Sequence, residues 1–427
     1  MPRRRASLRR WHIPPPLIHG PETLEGGGIL NEWESEFGVV LWQAFRDAML
    51  WATTAPEHRE EMFAHAGGIS RAAGSVAADV DARLSASLHL FRQLNSESGT
   101  IRDEQVARAC RQVSEWAEEG GYLGTALAFA QNAALAARSD AAAAFWVATL
   151  SVRMNDHARA EVWFRRSIGL ARQARNWRMY SHAFSGLGNL YMRRGNLPAA
   201  KRLHTRALRG AKRGGMRREQ AGALHDLFAV AVETSNPIEA EKFARLALDA
   251  YGNRNERVHV LAHDVAYFWM EQGQFGRAKS VFQAVLPLID RPVERLFVLA
   301  DLARAAAGMG DEVTADGAAE EAWRLAVMPE VETGAASALL ELARGYLSLG
   351  RLDEARTAAA LSAQCAIKYR EGKVRFAAES VLDAITTASV EIEAPSEVAV
   401  AEWEPSSGDD LAADFVRTLQ VMAGAAH

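Results

Sequence analysis

The chain has 427 residues, a formal net charge of −4 and 49% hydrophobic residues. That length exceeds what one core fills, so it makes either two or three compact domains or one elongated repeat array. No run of about 18 apolar residues is present to span a bilayer, and the two cysteines, Cys110 and Cys365, lie far apart with no close-spaced Cys or His beside them, which argues against a zinc site and for free thiols in a reducing compartment.

Residues 1–30 begin with Arg3, Arg4, Arg5, Arg9 and Arg10, continue into Ile13-Pro14-Pro15-Pro16 and end at Gly26-Gly27-Gly28. The basic start lacks a following apolar segment and so fails as a signal peptide; the protein is read as cytoplasmic. Such a composition buries no core, and disorder is predicted. Arginine far outnumbers lysine, which suits a GC-rich bacterial genome. Residues 31–100 form three predicted helices, the most apolar over 37–52 with Val40, Leu41, Phe45, Ala48, Met49 and Trp51. This segment is an N-terminal cap or an effector. Ala66-Gly67-Gly68-Ile69-Ser70 is similar to the turn of a helix-turn-helix, but residues 71–80 offer almost no long polar side chains to read bases.

From residue 101 the chain repeats. In one block Leu187-Gly188 is followed by Tyr191, a turn at Gly195, then Ala200 and Ala207. The block resembles the tetratricopeptide repeat. Aligned on Gly188, the other anchors are Ser114, Ala148, Phe228, Ala266, Ala303 and Ala343. Twelve residues beyond each anchor stands an alanine: Ala126, Ala160, Ala200, Ala240, Ala278, Ala315 and Ala355. A small side chain there lets the second helix of a unit cross the first closely. Seven residues beyond the anchors stand the turn formers Gly121, Asn155, Gly195, Ser235, Gly273, Gly310 and Gly350. Most units exceed 34 residues, which resembles bacterial tetratricopeptide sensors and regulators. The resemblance implies an all-α, right-handed superhelical solenoid of about seven helical hairpins over 101–390, with an N-terminal helical cap and a closing helix at 373–389. Residues 391–427 are an acidic tail ending in a short amphipathic helix that aligns Leu411, Phe415, Leu419 and Met422. The helix packs on the repeats, docks in a basic groove of the chain, or stays free.

In proteins of this repeat type the first helices line a concave groove. The resemblance places Arg153, Asn189, Arg193, Glu233, Tyr267 and Glu271 there, together with His182, His225 and His263. Asn189 matches the clamp asparagine of carboxylate-binding members, but Ser185 stands where they carry lysine, so the clamp is not transferred. His225-Asp226 and His263-Asp264 occupy matching places. The acidic place continues as Asp301 and Glu341, with Arg304 and Arg344 three residues on, at salt-bridge spacing. These acids are read as a structural ladder; no metal and no cofactor is expected. Trp146, Trp163, Trp177, Trp269 and Trp323 fit packing positions, Trp177 standing nearest an inter-helix junction.

Charge is uneven. Residues 151–218 hold 17 Arg and Lys against two acids, and residues 311–427 hold nine bases against 21 acids. No phosphate loop, serine elbow or zinc-protease motif is present. The sequence therefore points to a non-catalytic scaffold or sensor that binds a protein or peptide, an acidic one where the groove is basic. The alternative is a nucleic-acid-associated regulator that uses the 151–218 surface or the arginine tail.

Overall fold

The computed structural model describes residues 13–16, 27–66, 81–94, 100–328, 331, 334–391 and 410–425. The five N-terminal arginines, most of the helix-turn-helix-like motif and the acidic stretch 392–409 lie outside the described residues. Every regular element among the described residues is a helix. The chain divides into two compact units, Met1–Val230 and Ala231–His427.

In the first unit, α1 (Gly27–Glu32), α2 (Glu36–Thr53), α3 (Arg59–Ala66) and α4 (Ala82–Gln93) precede three helical hairpins. These are α5 (Asp103–Glu119) with α6 (Leu123–Ala136), α7 (Ala141–Arg153) with α8 (His157–Gln173), and α9 (Trp177–Arg193) with α10 (Leu197–Arg213). Helix α11 (Arg217–Glu233) follows. The second unit holds α12 (Pro237–Tyr251) and the hairpins α13 (Val258–Glu271) with α14 (Phe275–Val285), α15 (Pro292–Ala307) with α16 (Glu312–Ala326), and α17 (Ala335–Ser348) with α18 (Leu352–Lys368). Helix α19 (Gly372–Glu391) packs on α17 and α18, burying Ala378 and Ile385, and α20 (Leu411–Ala425) ends the described chain.

The repeat register is visible atom by atom. All seven alanines are buried, none more than 4% exposed. At Gly188 a Cβ would lie 2.5 Å from Cε1 of His204, so the crossing of α9 and α10 admits hydrogen only. In the first hairpin the anchor Ser114 donates its hydroxyl to the carbonyl of Ala126 at 2.7 Å, tying anchor to alanine directly. The seven turn residues all have φ between +52° and +82°, including Asn155 and Ser235. Glycine enters this left-handed region freely and asparagine at low cost; serine enters it under strain. After the turns, Asp156, Asn196, Asn236 and Asp311 accept the N–H of the third helical residue, capping the second helices.

Helix α6 lacks a side-chain cap of its own. Glu32 supplies one from 92 residues away, accepting from the N–H groups of Gly124 and Thr125 at 2.7 and 2.8 Å and from the Thr125 hydroxyl. Helix α2 then lays Leu41, Phe45, Ala48 and Trp51 into the core, with the rings of Phe45 and Phe129 6.1 Å apart and Asn132 donating to the Phe45 carbonyl. Leu41 and Phe45, fully buried, each contribute about 1.5–3 kcal/mol.

Both ends of the described chain pack against helices of their own unit. Disorder was predicted for residues 1–30, yet Ile13 packs into the core of the first unit and Pro14 accepts a hydrogen bond from Arg166. A stretch too small to bury a core can still borrow one. Within the second unit, the C-terminal helix α20 rests on α12, α13 and α14. Leu411, Phe415 and Leu419 are buried, and Phe415 stands 6.3 Å from the ring of Trp269. Its acids find Arg245, 2.9 Å from Asp414, and Arg277, 3.6 Å from Asp410. An apolar face needs an apolar seat, and charge attraction alone does not provide one.

Candidate functional site

The residues singled out in sequence lie on the first helices of the hairpins, and their surroundings differ between the units. In the first unit Arg153 closes α7 and pairs with Glu118 of α5. His182 on α9 faces the ring of Phe145 at 6.3 Å. The residue is exposed, yet partial desolvation by its neighbours holds its imidazole below the usual range, against the pull of Glu219. Asn189 is half-buried and Arg193 exposed. Beside them, Tyr191 donates to Glu161 at 2.8 Å, and Arg165 and Arg194 each reach the same carboxylate at 2.6 Å. Burial alone would raise the Glu161 pKa, but these three partners bring it below the ordinary carboxylate value.

His225 and His263, matched in sequence, are not matched in contact. His225 is half-buried against Phe228, their rings 6.1 Å apart, while its neighbour Asp226 faces the fully buried His204 at 3.2 Å. In the second unit His263 Nε2 lies 2.9 Å from Oδ2 of Asp301, and Nδ1 lies 3.6 Å from Asp264. Burial would lower this imidazole, but the two aspartates carry it up to about 10. With the ring charged at neutral pH, Nε2 donates to Asp301, and Asp264 adds its charge from 3.6 Å.

The network continues across three first helices. Arg304 on α15 joins Glu271 of α13 at 2.6 Å to Glu341 of α17 at 2.5 Å, Arg344 adds a second bond to Glu341 at 2.8 Å, and the Tyr267 hydroxyl donates to Glu341 at 3.3 Å. Asp301 and Glu341 are 4% and 7% exposed. Burial, and then the charge of Asp301, raise the Glu341 pKa against the two arginines. Burial and Glu341 likewise raise that of the Tyr267 phenol. The expectation of local pairs three residues apart holds for Glu341 and Arg344. Arg304 instead bridges the neighbouring hairpins, and the partner of Asp301 is His263. Glu233 is exposed at the end of α11.

Sequence reasoning assigned Asp301, Glu341 and Arg304 to a structural ladder and did not single out Glu161. Glu161 is one of only two acids among 17 bases, a signal that was available. Among the described residues, no three His, Cys, Asp or Glu side chains converge to hold a metal ion, and no helix is long and apolar enough to cross a membrane.

No protein-family model matches the chain, and no curated protein matches it. Among solved structures, the signal-transduction ATPase with numerous domains that carries a tetratricopeptide repeat sensor, from Pyrococcus horikoshii, superposes with a TM-score of 0.51 at 14% identity, over 70% of this chain and 46% of its own. The fold is of the tetratricopeptide type. The chain spans about half the length of that tetratricopeptide-bearing protein. Lower scores relate it to the APC/C hetero-tetramer Cut9-Hcn1 (TM-score 0.45, 14% identity, 83% of this chain and 64% of that one). BtubC from P. vanneervenii gives 0.41 at 17% identity, covering 53% and 91%.

Proposed function

We propose that this tetratricopeptide-type chain is a non-catalytic scaffold that binds an acidic segment of a protein partner on the basic surface of its first unit. The observation that carries this reading is the fate of the charges in residues 151–218. Both acids there are engaged internally: Asp156 caps α8 and pairs with Arg159, and Glu161 is held by Tyr191, Arg165 and Arg194. Several cations are not. Arg193, Arg202, Arg209 and Lys212 are exposed and have no ion pair among the described residues. In the second unit, by contrast, His263, Glu271, Arg304 and Glu341 answer one another, which supports a structural role for that cluster.

A defined probe tests the reading. Fluorescein-labelled 12-residue peptides, one rich in Glu and one rich in Lys, and a 12-nucleotide single-stranded DNA are titrated into the full chain at two salt concentrations. The acidic peptide should bind in preference to both, and Arg193→Glu with Arg202→Glu should weaken it about 10-fold or more with helicity unchanged. Tighter binding of the oligonucleotide, with a steep salt dependence, would turn the reading to a nucleic-acid-associated regulator. Binding that survives both charge reversals would remove the first unit's basic surface from consideration.

A further inference from the structure

A segment with three consecutive prolines has a restricted chemistry. Pro14, Pro15 and Pro16 offer carbonyl acceptors and no backbone N–H, so whatever recognises them must supply the donors. Arg166 of α8 does this. Its Nη1 donates to the Pro14 carbonyl at 2.8 Å and its Nη2 to the Arg138 carbonyl at 3.0 Å. Arg166 is 9% exposed, no carboxylate pairs with it among the described residues, and the charge acting on it is the like-signed one of Arg138. A guanidinium buried without an acid is costly unless carbonyls answer its donors. One of the two that do so comes from 152 residues away.

Gly169 is a second, independent observation. It lies one turn beyond Arg166, on the same face of α8. A Cβ there would lie 2.9 Å from Cγ1 of Ile13 and 3.6 and 3.7 Å from its Cβ and Cα, and these are the nearest atoms it would meet. Glycine inside a 17-residue helix is unfavourable relative to alanine. The missing side chain is the seat for Ile13. Arg166 and Gly169 thus read, in register, the carbonyl of a proline and the apolar side chain that precedes it.

We propose that Arg166 and Gly169 form a binding site for an extended segment of the form apolar residue, proline, proline, and that the chain fills it with its own Ile13-Pro14-Pro15-Pro16. The site lies on a second helix and does not depend on the acidic-partner reading. The ten residues 17–26 tether the segment to α1. They span at most about 33–36 Å and hold the segment at an effective concentration on the order of millimolar. A segment of the same class from another molecule therefore gains the site when the internal one is displaced.

The test uses a fluorescein-labelled peptide of residues 11–18 and fluorescence anisotropy on the full chain. The peptide should bind Ile13→Asp/Pro14→Gly, in which the internal ligand is broken, at least 10-fold more tightly than wild type. Adding Gly169→Leu or Arg166→Gln to that background should each lose about 10-fold or more, and so should replacing the peptide's three prolines with alanine. Because Gly169→Leu alters a position covered by Ile13 and favours helix, circular dichroism should show the fold retained; Arg166→Gln gives a second route if it does not. The proposal is overturned if the peptide binds wild type and the double variant equally, if its affinity ignores both Gly169 and Arg166, or if it fails to bind the double variant at millimolar concentration.

Discussion

The imidazole of His263 donates to the carboxylate of Asp301 at 2.9 Å, from one hairpin to the next. With its pKa raised to about 10, above the ordinary value near 6.5, the ring contributes stability that is fully present below pH 6.5 and is lost as pH rises through about 10. His263→Gln should cost about 1.5–3 kcal/mol at neutral pH. Urea unfolding of both proteins between pH 6 and 10.5 should show the gap closing toward the alkaline end; a constant gap would rule out the charged imidazole.

Arg304 serves Glu271 and Glu341 at once and is 16% exposed in its side chain. Arg304→Met leaves the buried Glu341 with Arg344 alone among its arginines and should cost about 3–5 kcal/mol. Arg351 also bridges two acids, Glu312 and Asp316, but in solvent, and Arg351→Met should barely move the unfolding midpoint. Equal midpoints for the two variants would show that burial does not set the worth of these bridges.

Ala200 is fully buried where α9 and α10 cross, beside the contact of Gly188 with His204. Ala200→Trp should therefore overpack the hairpin, at a cost of about 1–3 kcal/mol or more. A thermal melt that matches wild type would place the repeat register wrongly.

Phe415 is fully buried on α20 and meets Trp269, which also carries the Arg277 guanidinium 4.1 Å from its ring. Phe415→Ala should cost about 3–5 kcal/mol, felt first as detachment of α20. Hydrogen exchange over 411–425 should rise before that of α13 and α14. If all three rise together, α20 is part of their cooperative unit and not a helix docked upon it.

The repeat was legible because its requirements are local and periodic. A small residue at each crossing and a left-handed residue at each turn recur at fixed offsets, so Ala126 through Ala355 and Gly121 through Gly350 announce themselves in one dimension. The long-range partners were not legible. Glu32 capping α6, Arg166 holding Pro14 and α20 seating on Trp269 each join residues 92 or more apart in the chain. No periodicity encodes such pairings. The position of Asp301 and Arg304 was clear, but whether a charged side chain turns to its own helix or the next one depends on inter-helix distance. Gly169, a glycine inside a helix where no turn calls for it, was a hint to the seat of Ile13.

The bond from Tyr267 to Glu341 spans 74 residues and passes over the whole hairpin of α15 and α16. Repeat arrays ordinarily touch only their immediate neighbours, which lets them unzip one unit at a time. Here the coupling reaches the second neighbour, with Arg304 as the intermediate link. Under a pulling force applied across residues 258–368, the three hairpins should yield in a single event, as a block with a cooperativity length longer than its own repeat.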